Sequence, residues 1–164
     1  AVFRDELKNL FPHDQDALRL TKQTFTLAEF LARKAPHFSP PPLRRKALLQ
    51  SHCHHKAVMR VDDDHALLKK LGIELVPSPA GCCGMAGSFG YEAGEKYEVS
   101  MKTGELALLP QVRKTPDDVL LLADGFSCRE QIRQATGRKP LHLAELITLA
   151  FPPNREPEQE NSHA

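Results

Sequence analysis

The feature that most constrains this chain is the position of its four cysteines relative to its apolar segments. Cys53 follows the segment Lys46 to Gln50, Cys82 and Cys83 follow Ile73 to Val76, and Cys128 follows Val119 to Ala123. Each segment is short, aliphatic and followed by a loop and then a helix-like pattern. Strands that alternate with helices build a parallel sheet with right-handed crossovers. In such a sheet the carboxyl ends of the strands share one edge, where ligands bind. The pattern therefore predicts that all four thiols meet at one edge.

The remaining elements fit an α/β, Rossmann-like domain of three layers with a short parallel sheet. A brief helix is predicted over residues 4–11, and Asp14 reads as the N-cap of a long helix that ends before Pro36. Ser39-Pro40-Pro41-Pro42 is a stiff connector. Further helices are expected over 63–71, closed by Gly72, over 95–112, over 128–136 and over 140–151. Val119 to Ala123, apolar on both faces, reads as the central strand. Residues 1–151 are expected to form the domain and 152–164 a disordered tail.

Composition narrows the function classes. Lys plus Arg is 22 and Asp plus Glu is 21, for a net charge of +1, which argues against a dedicated nucleic-acid binder. The longest aliphatic run is far too short to cross a bilayer, and a cytoplasmic setting is expected, with approach to the inner face of a membrane only through partners. A disulfide framework is a poor reading, because Cys82 and Cys83 are adjacent and the chain is long for its cysteine content.

Thiolates at one sheet edge suit zinc, copper(I) or iron in an iron–sulfur cluster. An isolated free cysteine is commonly an inert core residue, but an adjacent pair in a loop with Gly81, Gly84, Gly87 and Gly90 departs from that pattern. Those glycines are expected to let the backbone approach an inorganic centre and offer N–H groups to its sulfurs. His54 and His55 are candidate additional ligands, with loop solvation or proton transfer as alternatives. No Gly-x-Gly-x-x-Gly fingerprint is present, so flavin or nicotinamide binding within this chain is not expected. The aspartate runs at 62–64 and 117–118 read as helix-start and turn residues, and Arg129 as a surface residue.

Three stretches together resemble the cysteine-rich CCG domain: His52-Cys-His-His-Lys56, Gly81-Cys-Cys-Gly-Met-Ala-Gly-Ser-Phe-Gly-Tyr91 and Ala123-Asp-Gly-Phe-Ser-Cys-Arg-Glu-Gln-Ile132. That domain occurs in heterodisulfide reductases, in the iron–sulfur component of glycolate oxidase and in the C-terminal iron–sulfur part of FAD-linked oxidases of D-2-hydroxy acids. The resemblance covers about Val2 to Ile147 and is to the second of two similar halves. It implies a fragment of a longer enzyme, not catalytic by itself, that passes electrons from FAD elsewhere in the protein through an iron–sulfur cluster. Cys53, Cys82, Cys83 and Cys128 are the implied ligands. The implied partners are a flavin domain, another iron–sulfur domain and a quinone or electron-carrier acceptor. One departure stands out: the family pattern ends in Cys-x-x-Cys, and Gly125 takes the place of its first cysteine. A zinc-binding or metal-free docking module is therefore the alternative, and an activated thiol nucleophile near His54 is a third reading.

Overall fold

The computed structural model describes residues 1–78 and 81–152. Its centre is a three-stranded parallel sheet of order β2-β1-β3, with β1 at Lys46–Leu49, β2 at Glu74–Leu75 and β3 at Leu120–Leu122. Lys46 pairs with Glu74, while Ala47, Leu48 and Leu49 pair with Leu120, Leu121 and Leu122. The central strand is thus β1, not the segment at 119–123. That segment is nevertheless buried, because residue 141 covers its outer edge: Leu141 N–H donates to Leu121 O at 2.8 Å and Ala123 N–H to Leu141 O at 2.9 Å. A strand with both edges occupied and both faces packed is as apolar as a central one.

The strands alternate their side chains between two helical layers. Ala47 and Leu122 face a cluster built from α3 (Leu27–Lys34), α4 (Asp62–Lys70) and α8 (Leu143–Leu149), with Leu68, Leu71 and Leu146 at its heart. Leu48 and Leu121 face the opposite cluster, with Leu108 and Val112 of α6 (Leu108–Lys114) and Ile132 of α7 (Phe126–Thr136). Cys83 and Cys128 belong to this second cluster. The architecture is the expected α/β sandwich of three layers around a short parallel sheet.

Two expected helices are each broken in two, for local chemical reasons. The segment after Asp14 forms α2 (Gln15–Gln23) and α3, preceded by the short α1 (Glu6–Leu10). Thr26 caps α3 through a capping box with Glu29, and this supplies a fresh helix start. Glu29 is buried; burial opposes its ionisation, but an ion pair with Arg4 and the Thr26 N–H outweigh that and hold its carboxyl below the usual range. The segment at 95–112 forms α5 (Glu95–Glu105) and then α6. Pro110 stands in the first turn of α6, where its missing N–H is harmless; in one continuous helix it would clash with the Leu106 carbonyl. Residues 140–142 are extended rather than helical, and α8 begins after His142. Of the expected tail, Pro152 alone lies within the described residues.

Leu146 is fully buried at the sheet face, so Leu146→Ala should destabilise the fold by about 2–5 kcal/mol. Urea denaturation followed by far-ultraviolet circular dichroism measures this.

Candidate metal centre

The carboxyl ends of β1 and β3 lie side by side because the strands pair in register, and the loops that leave them carry Cys53 and Cys128. After β1 the chain enters a π-helical turn, His55–Met59, with Cys53 and His54 just before it. After β3, Gly125 caps α7 and sets Cys128 in its first turn, with Phe126 and Ser127 before it. The loop after β2 is tied to this edge by Gln50, whose Nε2 donates to Gly81 O at 3.0 Å. Cys82 and Cys83 follow at once.

The four thiols fall into two environments. Cys83 and Cys128 are buried, 4% and 1% exposed, and their sulfurs are 3.5 Å apart, with the Cys128 S–H donating to Cys83. That bond draws the Cys83 thiol below its ordinary range, and the same bond together with burial pushes Cys128 above it. Cys53 and Cys82 are exposed. Burial pushes the Cys82 thiol up, against an N–H···S bond from Gly84 at 3.3 Å, and neighbouring Cys83 and Cys53 add to the rise. Cys53 and Cys82, like Cys83, also raise Cys128 electrostatically. Cys83 and Cys128 are thus in contact, and Cys53 and Cys82 stand near enough to act on Cys128 electrostatically.

Cys53 and Cys82 open onto a cavity of about 500 Å³, whose lining includes Gln50, Lys56, His65 and Val76. The cationic Lys56 favours negative charge at this mouth.

The glycines act differently from the sequence expectation. Gly84 does offer its N–H to a sulfur, but its main constraint is contact: at φ +89°, a Cβ there would run into the Ser100 carbonyl of α5. A Cβ at Gly90 would strike Ser100 Oγ and Met85 Sδ. Buried Ser100 in turn accepts from Gln131 Nε2 at 3.3 Å, which ties α5 to α7. Gly84 and Gly90 thus let the loop lie against α5, Gly81 meets Ala107 instead, and Gly87 stands in open space with a left-handed φ of +69°.

The histidines turn toward carboxylates. His54 Nε2 lies 3.8 Å from Asp5 and 4.0 Å from Glu6. His55 Nε2 lies 3.5 Å from Asp64, a pairing that holds the imidazole above its ordinary range despite burial. His52 stacks on His54, with ring centroids 6.5 Å apart, and occupies the space beside Gly125: a Cβ there would sit 2.9 Å from the His52 ring. Burial, then the charges of His54 and His55, lowers the His52 pKa. Arg129 is not a free surface residue, since its Nη1 donates to Ala123 O and Asp124 O at 3.0 and 2.9 Å. Sequence reasoning does not single out Asp64 and Asp124. Asp64 sits inside an acidic run that reads as helix-start chemistry, and its burial is a tertiary fact.

Comparison with known proteins places this geometry in context. The chain is 33% identical over 101 residues to D-2-hydroxyglutarate dehydrogenase of Pseudomonas putida, a match that covers 60% of this chain and 10% of that protein. It is 41% identical over 86 residues to the D-2-hydroxyglutarate dehydrogenase of Pantoea ananatis, covering 50% of this chain and 8% of that protein. It is 29% identical over 154 residues to one subunit of the anaerobic glycerol-3-phosphate dehydrogenase of Escherichia coli K12, covering 92% of this chain and 38% of that protein. The chain thus spans about a tenth of the first two relatives. No family model and no solved structure matches it. Among the described residues, no helix is long and apolar enough to cross a membrane.

The division between open and buried thiols has a chemical consequence. Iodoacetamide should alkylate Cys53 and Cys82 of the metal-free chain well before Cys83 and Cys128, as read by peptide mass spectrometry. Gly84→Ala should cost about 3 kcal/mol or more, since it combines left-handed backbone with overpacking; thermal denaturation measures it.

Proposed function

We propose that this chain is an iron–sulfur electron-transfer part of an FAD-linked oxidoreductase of the D-2-hydroxy-acid type, with Cys53, Cys82, Cys83 and Cys128 as cluster ligands. The observation that carries the reading is the gathering of four thiols from three separate loops, two of them paired at 3.5 Å within the hydrophobic core. Ordinary core packing explains one buried cysteine; it gives no reason for two exposed thiols to join the buried pair at the same sheet edge. The dehydrogenase relatives support the oxidoreductase setting, and the chain's small share of their length supports a flavin domain and further redox centres elsewhere.

The donor set fits the group. Four thiolates complete the coordination of one cluster without the imidazoles of His54 and His55. A bound cluster would accept and donate single electrons at this edge. The chain's own residues do the rest. The bond from Cys128 lowers the Cys83 thiol and raises Cys128 itself, so the buried pair gives up its first proton from Cys83. Gly84 N–H donates to Cys82 Sγ, and such a bond stabilises negative charge on sulfur. Leu48, Leu121, Ala123 and Ile132 keep water from the buried pair. Cys53 and Cys82 face the open cavity, the side from which an electron carrier or quinone would approach, and Lys56 there favours an anionic partner.

A zinc-holding docking module is the second reading. It is favoured by Gly125, where the His52 ring occupies the space a further cysteine side chain would need. Elemental analysis and visible absorption of anaerobically purified protein separate the two. Iron with labile sulfide and a broad visible band is the expected result, and Cys83→Ser should remove most of the iron while far-ultraviolet dichroism persists. Stoichiometric zinc in place of iron, lost on the same Cys83→Ser change, would overturn the electron-transfer reading in favour of the docking module.

A further inference from the structure

The structure holds a second cluster of ligating groups beside the thiols, and it makes no use of sulfur. His55, Asp64 and Asp124 bring one imidazole nitrogen and two carboxylates together, with their ligand atoms all within 4.8 Å of one another. They come from three segments: the π-helical turn after β1, the first turn of α4, and the carboxyl end of β3. We propose that these three residues bind one divalent transition-metal ion of the manganese, iron(II) or zinc class, and that this ion pins the turn carrying Cys53 to α4 and β3. The proposal does not rest on the iron–sulfur reading.

Four observations carry it. First, His55 Nε2 is buried and has no hydrogen-bond partner among the described residues. Its neighbour Asp64 Oδ2 stands at 3.5 Å, too far for a good N–H···O bond. It is close to the separation of roughly 3.3 Å expected for two donors about 2.0–2.1 Å from one tetrahedral ion. Second, a cavity of about 10 Å³ lies at this point, lined by His55, Asp64 and Asp124 together with Ser51 and His52. That is room for a single small ion or water. Third, the carboxylates are built in: the Asp64 side chain is 10% exposed, and the Leu143 N–H holds Asp124 Oδ1 at 2.8 Å. Such an outer bond orients a ligating carboxylate. Fourth, the site gathers acidic charge: two carboxylates face His55, the other imidazole beside them being His142, whose Nε2 lies 3.8 Å from Asp124 Oδ1, while Arg129 spends its hydrogen bonds on the Ala123 and Asp124 carbonyl oxygens. One imidazole with two carboxylates is a borderline-to-hard donor set, so this site and the thiol site select different metals.

Manganese(II) is the probe, because it ignores thiolates. Electron paramagnetic resonance of Mn²⁺ titrated into the 164-residue chain should show one bound equivalent. Asp64→Asn should weaken binding more than about tenfold, while Asp117→Asn, at a fully exposed carboxylate before the other end of β3, should leave it unchanged. Because an Asp64 variant can fail to fold, the wild-type chain supplies an independent readout. In its nuclear magnetic resonance spectrum, Mn²⁺ should broaden the signals of His55, Asp64 and Asp124 before all others. Absence of tight binding, or broadening centred on other carboxylates, would overturn the proposal and leave a proton between His55 and Asp64. Failure of the iron–sulfur reading would appear instead in iron and sulfide content, which this titration does not measure.

Discussion

The parallel pairing of β1 with β3 is the interaction on which the rest of this molecule depends. It sets Leu49 opposite Leu122, so the loops that leave the two strands emerge side by side. Every group of chemical interest hangs from that junction. Cys53 and the histidines leave from β1, Asp124 and Cys128 from β3, and Gln50 pulls the glycine loop against it through Gly81. A one-residue slip of β1 would turn Leu48 out of its helical layer, away from Leu121, and shift Cys53 relative to Cys128.

The site is not a loop feature laid on a finished core. Cys83 and Cys128 are core residues, packed with Leu48, Leu121 and Ile132, and the Cys128 S–H donates to Cys83 within that packing. The packing itself holds the buried pair together, while Cys53 and Cys82 remain open to solvent. That division suits a centre that must be shielded on one side and reached on the other. The same economy appears at Ser100, which supports the glycine loop from below and accepts from Gln131 of α7.

Much of the fold is legible in the sequence, because the periodicity of apolar residues reports directly which side chains must leave water. The elements expected over 46–50, 63–71 and 128–136 follow from that signal. The departures have equally specific causes. Periodicity runs straight through Thr26 and Pro110, where a capping box and a missing N–H restart the helix. The apolar run at 119–123 has the character of a central strand because residue 141 covers an edge, a contact that local sequence does not encode. The glycines point to close approach, which is correct, but the partner they approach most closely is Ser100 of α5.

By itself the sequence determined that strands and helices alternate and that each strand hands the chain to a cysteine or a cysteine pair. These facts follow from local order, since side-chain chemistry and spacing travel with the chain. Only the tertiary structure decided which thiols are buried, that two of them are hydrogen-bonded, and that His55 faces Asp64 and Asp124. Those are relations between segments far apart in sequence. They depend on strand order and on what covers each edge, and the free energy of both belongs to the packed whole rather than to any stretch of residues.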